Sequence, residues 1–159
     1  MLPLPRKSVR FRSGTWLIAL ALPLAVCAQT PPAAPPSTPM MTSMVFDWNT
    51  LTPTPWPTGE RRMVFDGPSV KMPKLECHIT TLNAGQISGA PHKHSNEELT
   101  IVNDGTVEVS INGKTQTVGK GSVFYFAPQD LAGIRNPSSA PATYTVIEMT
   151  VPSDAAVAK

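Results

Sequence analysis

Val107-Glu-Val-Ser-Ile-Asn-Gly-Lys-Thr-Gln-Thr-Val118 is the stretch that decides the fold class. From Val107 to Ile111 apolar and polar residues alternate, which is the period of a strand with one face in a core and one in water. Asn112-Gly113 then offers two neighbouring positions that accept positive φ, as a two-residue hairpin turn requires, and Lys114 to Val118 supply the returning strand.

Outward from this hairpin the same rhythm continues on both sides. Upstream, Met63-Val64-Phe65 stops at Asp66-Gly67-Pro68, Leu75 to Leu82 stops at Asn83-Ala84-Gly85, and Leu99 to Val102 stops at Asp104-Gly105. Downstream, Ser122 to Ala127 and Thr143 to Thr150 are rich in β-branched and aromatic residues, with a loop bearing Pro and Ser between them. No segment repeats its apolar residues at helical spacing over a helix length. Short strands with regular turn signals predict an all-β domain, a small sandwich or barrel, over residues 59–151.

Further out, the chain stops looking like a folded domain. Arg6, Lys7, Arg10 and Arg12 precede the apolar run Trp16 to Val26, and small residues follow at Cys27-Ala28, the pattern of a secretory signal over residues 1–28. The run is shorter than the ~20 residues a membrane helix needs, so the sequence predicts an exported chain, periplasmic or secreted, with no stable membrane span after cleavage. Lipidation at Cys27 is disfavoured by the bulk of Val26 before it. Residues 29–58 hold the Pro-rich run TPPAAPPSTPM and then Pro53, Pro55 and Pro57, and read as a linker or arm; residues 152–159 read as a frayed tail. Trp48 and Trp56 are too apolar for a simple tether and are expected to pack, onto the domain or onto a second subunit.

Removing residues 1–28 takes away four basic and no acidic residues, so 13 Lys and Arg against 11 Asp and Glu become 9 against 11. A mildly acidic mature chain gives no reason to expect nucleic acid as a partner. Cys77 is then the one remaining cysteine, which excludes an internal disulfide, and its apolar-alternating surroundings predict a buried, inert thiol.

Chemistry concentrates in Gly85 to Gly105, GQISGAPHKHSNEELTIVNDG. His92 and His94, one residue apart on an extended segment, point to the same side, and Glu98 opens the next strand. Two imidazoles and a carboxylate are donors suited to a divalent first-row metal, and they do not distinguish Fe, Mn, Zn or Ni. The bland alternative, a polar surface turn, fits Lys93, Ser95, Asn96 and Glu97 but not the spacing of the three donors. Glu97 falls on the opposite side of the strand. His78 has no partner in such a motif, so a hydrogen-bonded structural histidine is its default.

Gly85, six residues, His92-Lys93-His94, three residues, Glu98, six residues, Gly105 resembles the first motif of the cupin superfamily, which usually has five residues at the first gap. The longer stretch, from Leu75 through Asn136, is similar to small exported bacterial single-domain cupins. The resemblance implies a double-stranded β-helix, or jelly-roll, barrel with a pocket at one mouth, a homodimer, and His92, His94 and Glu98 as metal ligands. The second cupin motif begins at Gly121 and departs at its end: Ala127 stands where proline is usual, Gln129 where glycine is usual, and Ala132 where the fourth ligand, a histidine, is usual.

A methyl group ligates nothing, so three outcomes stand open. The metal stays on three protein ligands and water; Asp130 or Gln129 substitutes; or the pocket is metal-free and binds an organic ligand through polar groups. The function expected is an exported protein that binds a divalent metal and a small organic ligand, as an oxygenase-like or other metal-dependent enzyme. A non-catalytic ligand-binding or sensor module is the alternative, and an interaction protein tethered by its arm a third. Tyr125, Tyr144, Glu148 and Arg135 are possible lining residues of the barrel mouth, none of them assigned a catalytic role.

Overall fold

The computed structural model describes residues 38–151. The expected export signal, Cys27, the first part of the expected arm and the expected tail lie outside the described residues. Ten strands follow a short 3-10 turn, Trp48–Thr50: β1 Thr54–Trp56, β2 Gly59–Gly67, β3 Lys74–Leu82, β4 His92–Lys93, β5 Glu97–Asp104, β6 Thr106–Ile111, β7 Lys114–Gly119, β8 Val123–Phe126, β9 Leu131–Arg135 and β10 Ala142–Thr150. They form two antiparallel sheets, one of six strands in the order β1-β2-β3-β10-β5-β8 and one of four in the order β4-β9-β6-β7. The chain is all-β with a jelly-roll arrangement, as the strand rhythm predicts.

The hairpin β6–β7 forms in the register its alternation dictates, Val107 opposite Val118 and Ile111 opposite Lys114. Its turn has φ of +50° at Asn112 and +81° at Gly113, the left-handed pair that a two-residue connection needs. Val107 and Val109 point inward. They meet Leu82 from β3, Val102 from β5, Phe126 from β8, Ile134 from β9, and Tyr144 and Val146 from β10 in one core between the two sheets. Among the described residues no helix is long and apolar enough to cross a membrane.

Three strands depart from the sequence expectation. β1 lies within the Pro-rich segment, where prolines argue against regular structure. Its pairing with β2, Thr54 opposite Arg61 and Trp56 opposite Gly59, makes it an edge strand, the one place in a sheet where Pro55 removes no needed donor. β9 is short and contains Gly133, yet β4 and β6 flank it and bury Ala132 and Ile134. β4 is only two residues long, and pairing with β9 defines it. Cys77 is buried on β3, and burial pushes its thiol pKa up, with the neighbouring Glu76 adding to the rise, as expected of an inert thiol.

Candidate metal centre

A cavity of about 150 Å³ opens between the sheets, and His92, His94, Glu98 and Ala132 all line it. β4 and β9 set the first contact. His92 stands directly opposite Ala132, so the two side chains share one face, with the methyl beside the imidazole. The motif alignment therefore puts Ala132 in the wall of the cavity, where it is 1% exposed.

His92 Nδ1 lies 3.0 Å from the carbonyl of Ala90. A donor bond to that carbonyl fixes the tautomer that leaves Nε2 with its lone pair available to a ligand. The ring of His94 packs against it, centroids 4.3 Å apart, and lies parallel to Phe126 at 6.4 Å. His94 Nε2 is 3.6 Å from Glu98 Oε2. Burial lowers the pKa of His94, with His92 contributing and Glu148 opposing, so the neutral ring that a metal requires is favoured.

Glu98 is buried on β5, and its Oε1 accepts from the hydroxyl of Thr100 at 3.1 Å. Burial is the main cause of its carboxyl being pushed up to about 7; the Thr100 hydroxyl works against the rise and the nearby Glu148 works with it. Glu148 arrives from β10, directly opposite Glu98 on one side and Glu76 of β3 on the other, so three glutamates stand in one row across three strands. Like charges so placed repel, and such a row is stable only if something neutralises it. Part of the neutralisation is local: Asn96 Nδ2 donates to Glu148 Oε2 at 2.6 Å, and Lys74 Nζ lies 3.0 Å from Glu76 Oε2.

One ligand atom each from His94, Glu98 and Glu148 falls within 4.8 Å of the others. An ion about 2.1 Å from every donor holds donors about 3–3.5 Å apart, so a small inward movement brings the three onto one ion. His92 shares the cavity and the stacking contact but is not within that group. The imidazole and carboxylate donors fit a divalent first-row ion. A second group of the same kind, Glu76, His78 and Glu148, adjoins it and shares Glu148. Within it His78 Nδ1 is 3.1 Å from Glu76 Oε1, and the ring is 3% exposed. His78 is thus the hydrogen-bonded histidine expected, though it also lines the cavity. Burial lowers its pKa and the charge of Arg61 adds to this, while Glu76 opposes. For Glu76 itself burial raises the pKa, but the ammonium of Lys74 and the contact with His78 outweigh it and hold the carboxyl below its ordinary range.

Neither proposed substitute for the missing imidazole lines the cavity. Asp130 Oδ1 accepts from Asn112 Nδ2 at 2.7 Å, beside the hairpin turn. Gln129 is exposed with φ of +70°, which accounts for the glycine usual there, and both its backbone N–H, at 2.9 Å, and its side-chain amide, at 3.3 Å, donate to the carbonyl of His94. It holds the segment that carries His94 and supplies no ligand. Tyr144 and Glu148 do line the cavity, whereas Arg135 belongs to a groove on the outer side of β6 and β9, and Tyr125 is 46% exposed. Glu148 has no signal in the motif; only the pairing of β10 with β5 brings it to Glu98.

A barrel of two antiparallel sheets with imidazoles and carboxylates at one mouth defines the class of protein. Residues 78–148 match the family model described as a cupin domain. The RmlC-like cupin of Shewanella frigidimarina superposes with a TM-score of 0.58 at 16% identity, covering 71% of this chain and 96% of its own. KdgF from Halomonas sp. gives a TM-score of 0.57 at 20% identity, covering 72% and 99%, and the cupin domain of Cnp3 from Schizosaccharomyces pombe gives 0.56 at 17%, covering 67% and 73%. At these identities the likeness establishes the fold alone. A sequence comparison with curated proteins finds no match.

Proposed function

We propose that this is an exported cupin that binds one divalent first-row metal ion through His92, His94 and Glu98, with Glu148 rather than a second-motif side chain taking the place left by Ala132. A small organic ligand then occupies the cavity. The observation that carries the reading is the convergence of His94, Glu98 and Glu148 within 4.8 Å on the wall that His92 also lines. Two carboxylates and neutral imidazoles balance a divalent charge, and no other cation lies against Glu98 or Glu148 as an ion pair among the described residues. When bound, such an ion supplies a Lewis acid with open positions toward the cavity. The chain's own residues orient it: Ala90 sets the His92 tautomer, Gln129 fixes the His94 segment, and Phe126 and Tyr144 wall the site. The methyl of Ala132 supports a second reading, a binding module without turnover, because it deletes one imidazole from the usual set.

Metal analysis of the purified protein tests this. Wild type is expected to carry one ion per chain, His94→Ala to lose it, and Glu148→Gln to bind about 10–100-fold more weakly. Ala132→His is expected to bind more tightly than wild type. Wild type without stoichiometric metal, alongside an Ala132→His variant that gains it, would sink the proposal. Mass spectrometry of the exported chain checks the processing step, with cleavage before Gln29 the expected result.

A further inference from the structure

Two arginines follow one another on β2 and have opposite fates. Arg62 is tied to its own neighbours: it donates to the carbonyl of Leu51 at 2.7 Å and to Glu60 Oε1 at 2.9 Å, and its guanidinium lies 4.7 Å from the ring centre of Trp48. Arg61, on the inward face and opposite Thr80, lines the cavity. Among the described residues its guanidinium makes no hydrogen bond and no ion pair. Its one partner is the ring of Trp56, 4.7 Å away, and Trp56 lines the same cavity while remaining 44% exposed.

A guanidinium offers five donors in a planar fork matched to a carboxylate, and a half-buried one without an acceptor is uncommon. The aromatic face fixes its orientation in advance of any ligand. Arg61 and Trp56 line the same cavity wall, and opposite Thr80, another lining residue, the arginine stands at the site. Charge counting gives the sign of the ligand. Lys74 compensates Glu76, and Glu98 with Glu148 balance a divalent ion, which leaves the single positive charge of Arg61 unmatched. The volume, about 150 Å³, lies well below the roughly 300 Å³ at which pockets for drug-sized molecules begin.

We propose that Arg61, held by Trp56, is an anion subsite and that the cavity takes a small monocarboxylate. Its carboxylate pairs with the guanidinium fork, and an oxygen substituent on it faces His92, His94 and Glu98. The charge count and the placing of the oxygen substituent rest on the metal reading; the position of Arg61 in the cavity wall, with Trp56 as its one partner, does not.

Calorimetry with the full chain, with and without Mn²⁺, against acetate, lactate, pyruvate and benzoate and the neutral amide of each, separates the two. At least one acid is expected to bind wild type tenfold or more tightly than its amide, and Arg61→Met to abolish that preference with metal stoichiometry unchanged. Arg61→Lys, which keeps the charge and loses the fork, is expected to weaken the acid at least threefold, and carries the test if Arg61→Met does not fold. Metal uptake with no acid preferred over its amide, or with equal acid affinity in wild type and both Arg61 variants, overturns the subsite and leaves the metal reading standing. An Arg61-dependent preference for acid in a protein that takes up no metal upholds the subsite and removes the metal reading.

Discussion

A carboxyl as deeply buried as Glu98, with Glu148 opposite it in the strand register, folds more easily when it keeps its proton. With its pKa at about 7 in the fold and near 4.5 when unfolded, the native chain holds a proton there that the unfolded chain has released. Stability from this group is therefore full below about pH 4.5 and lost as pH rises through about 7, a loss on the order of 3 kcal/mol. Burial lowers the pKa values of His94 and His78, which gives them the opposite slope, with stability lost as pH falls, so a comparison with Glu98→Gln isolates the glutamate. In metal-free protein that variant should match wild type near pH 4.5 and exceed it by on the order of 3 kcal/mol above pH 7 in urea unfolding. An equal difference at every pH would refute this. Saturating metal should remove the wild-type loss, because the bound form needs the carboxylate. Of this residue set His92, His94, Glu98 and Ala132 were legible in the sequence, since they sit at fixed spacing within two local motifs. Glu148, fifty residues beyond Glu98, was a possible lining residue, but its place beside Glu98, like the place of Arg61 in the cavity, comes only from strand pairing, which no local pattern announces.

At the scale of elements, the loop that leads toward the histidines is anchored at its start by one buried side chain. Asn136, just past β9, donates from Nδ2 to the carbonyls of Ala140 at 2.8 Å, Leu82 at 3.0 Å and Asn83 at 3.2 Å, and its Oδ1 accepts from the Ser138 hydroxyl at 2.7 Å and backbone N–H at 3.0 Å. Its own N–H donates to Gln86 at 2.8 Å. One amide thus joins the end of β3, the loop that leads to His92 and the loop that enters β10. Asn136→Asp turns donors toward three carbonyls into a charged acceptor, and should cost about 3 kcal/mol or more at neutral pH. Acidification should restore part of the loss by returning a donor. Denaturant unfolding at pH 7 and pH 4.5 checks both, and a loss below 1 kcal/mol at pH 7 would show that the network contributes little. Asn136 closes the stretch similar to small exported cupins, but the sequence alone did not show that it ties a strand end to two loops. β9 was invisible for a related reason: a five-residue run with a glycine has too little intrinsic preference, and flanking strands supply what it lacks.

For the molecule as a whole, the functional boundary of the domain lies upstream of the first long strand. The sequence separates a Pro-rich arm from a domain starting at Gly59, because prolines and a compositional shift are all that a linear reading sees there. In the fold, β1 extends the larger sheet, Trp48 and Trp56 cover the two arginines of β2, and the N–H of Met41 donates to Pro68 at 2.8 Å. The tryptophans pack on the chain's own domain. A chain beginning at Thr38 should keep wild-type stability and metal stoichiometry. One beginning at Gly59 loses the Leu51 carbonyl from Arg62, a mostly buried side chain whose Nε already has no partner, together with both aromatic faces. That should lower stability by about 1–3 kcal/mol, one hydrogen bond to a charged donor and two cation–π contacts, and should leave Arg61 unfixed at the cavity. Metal stoichiometry should survive, since no ligand precedes His92. Thermal unfolding and metal analysis of the two truncated chains decide the matter: equal melting temperatures would return residues 38–58 to the role of a simple tether.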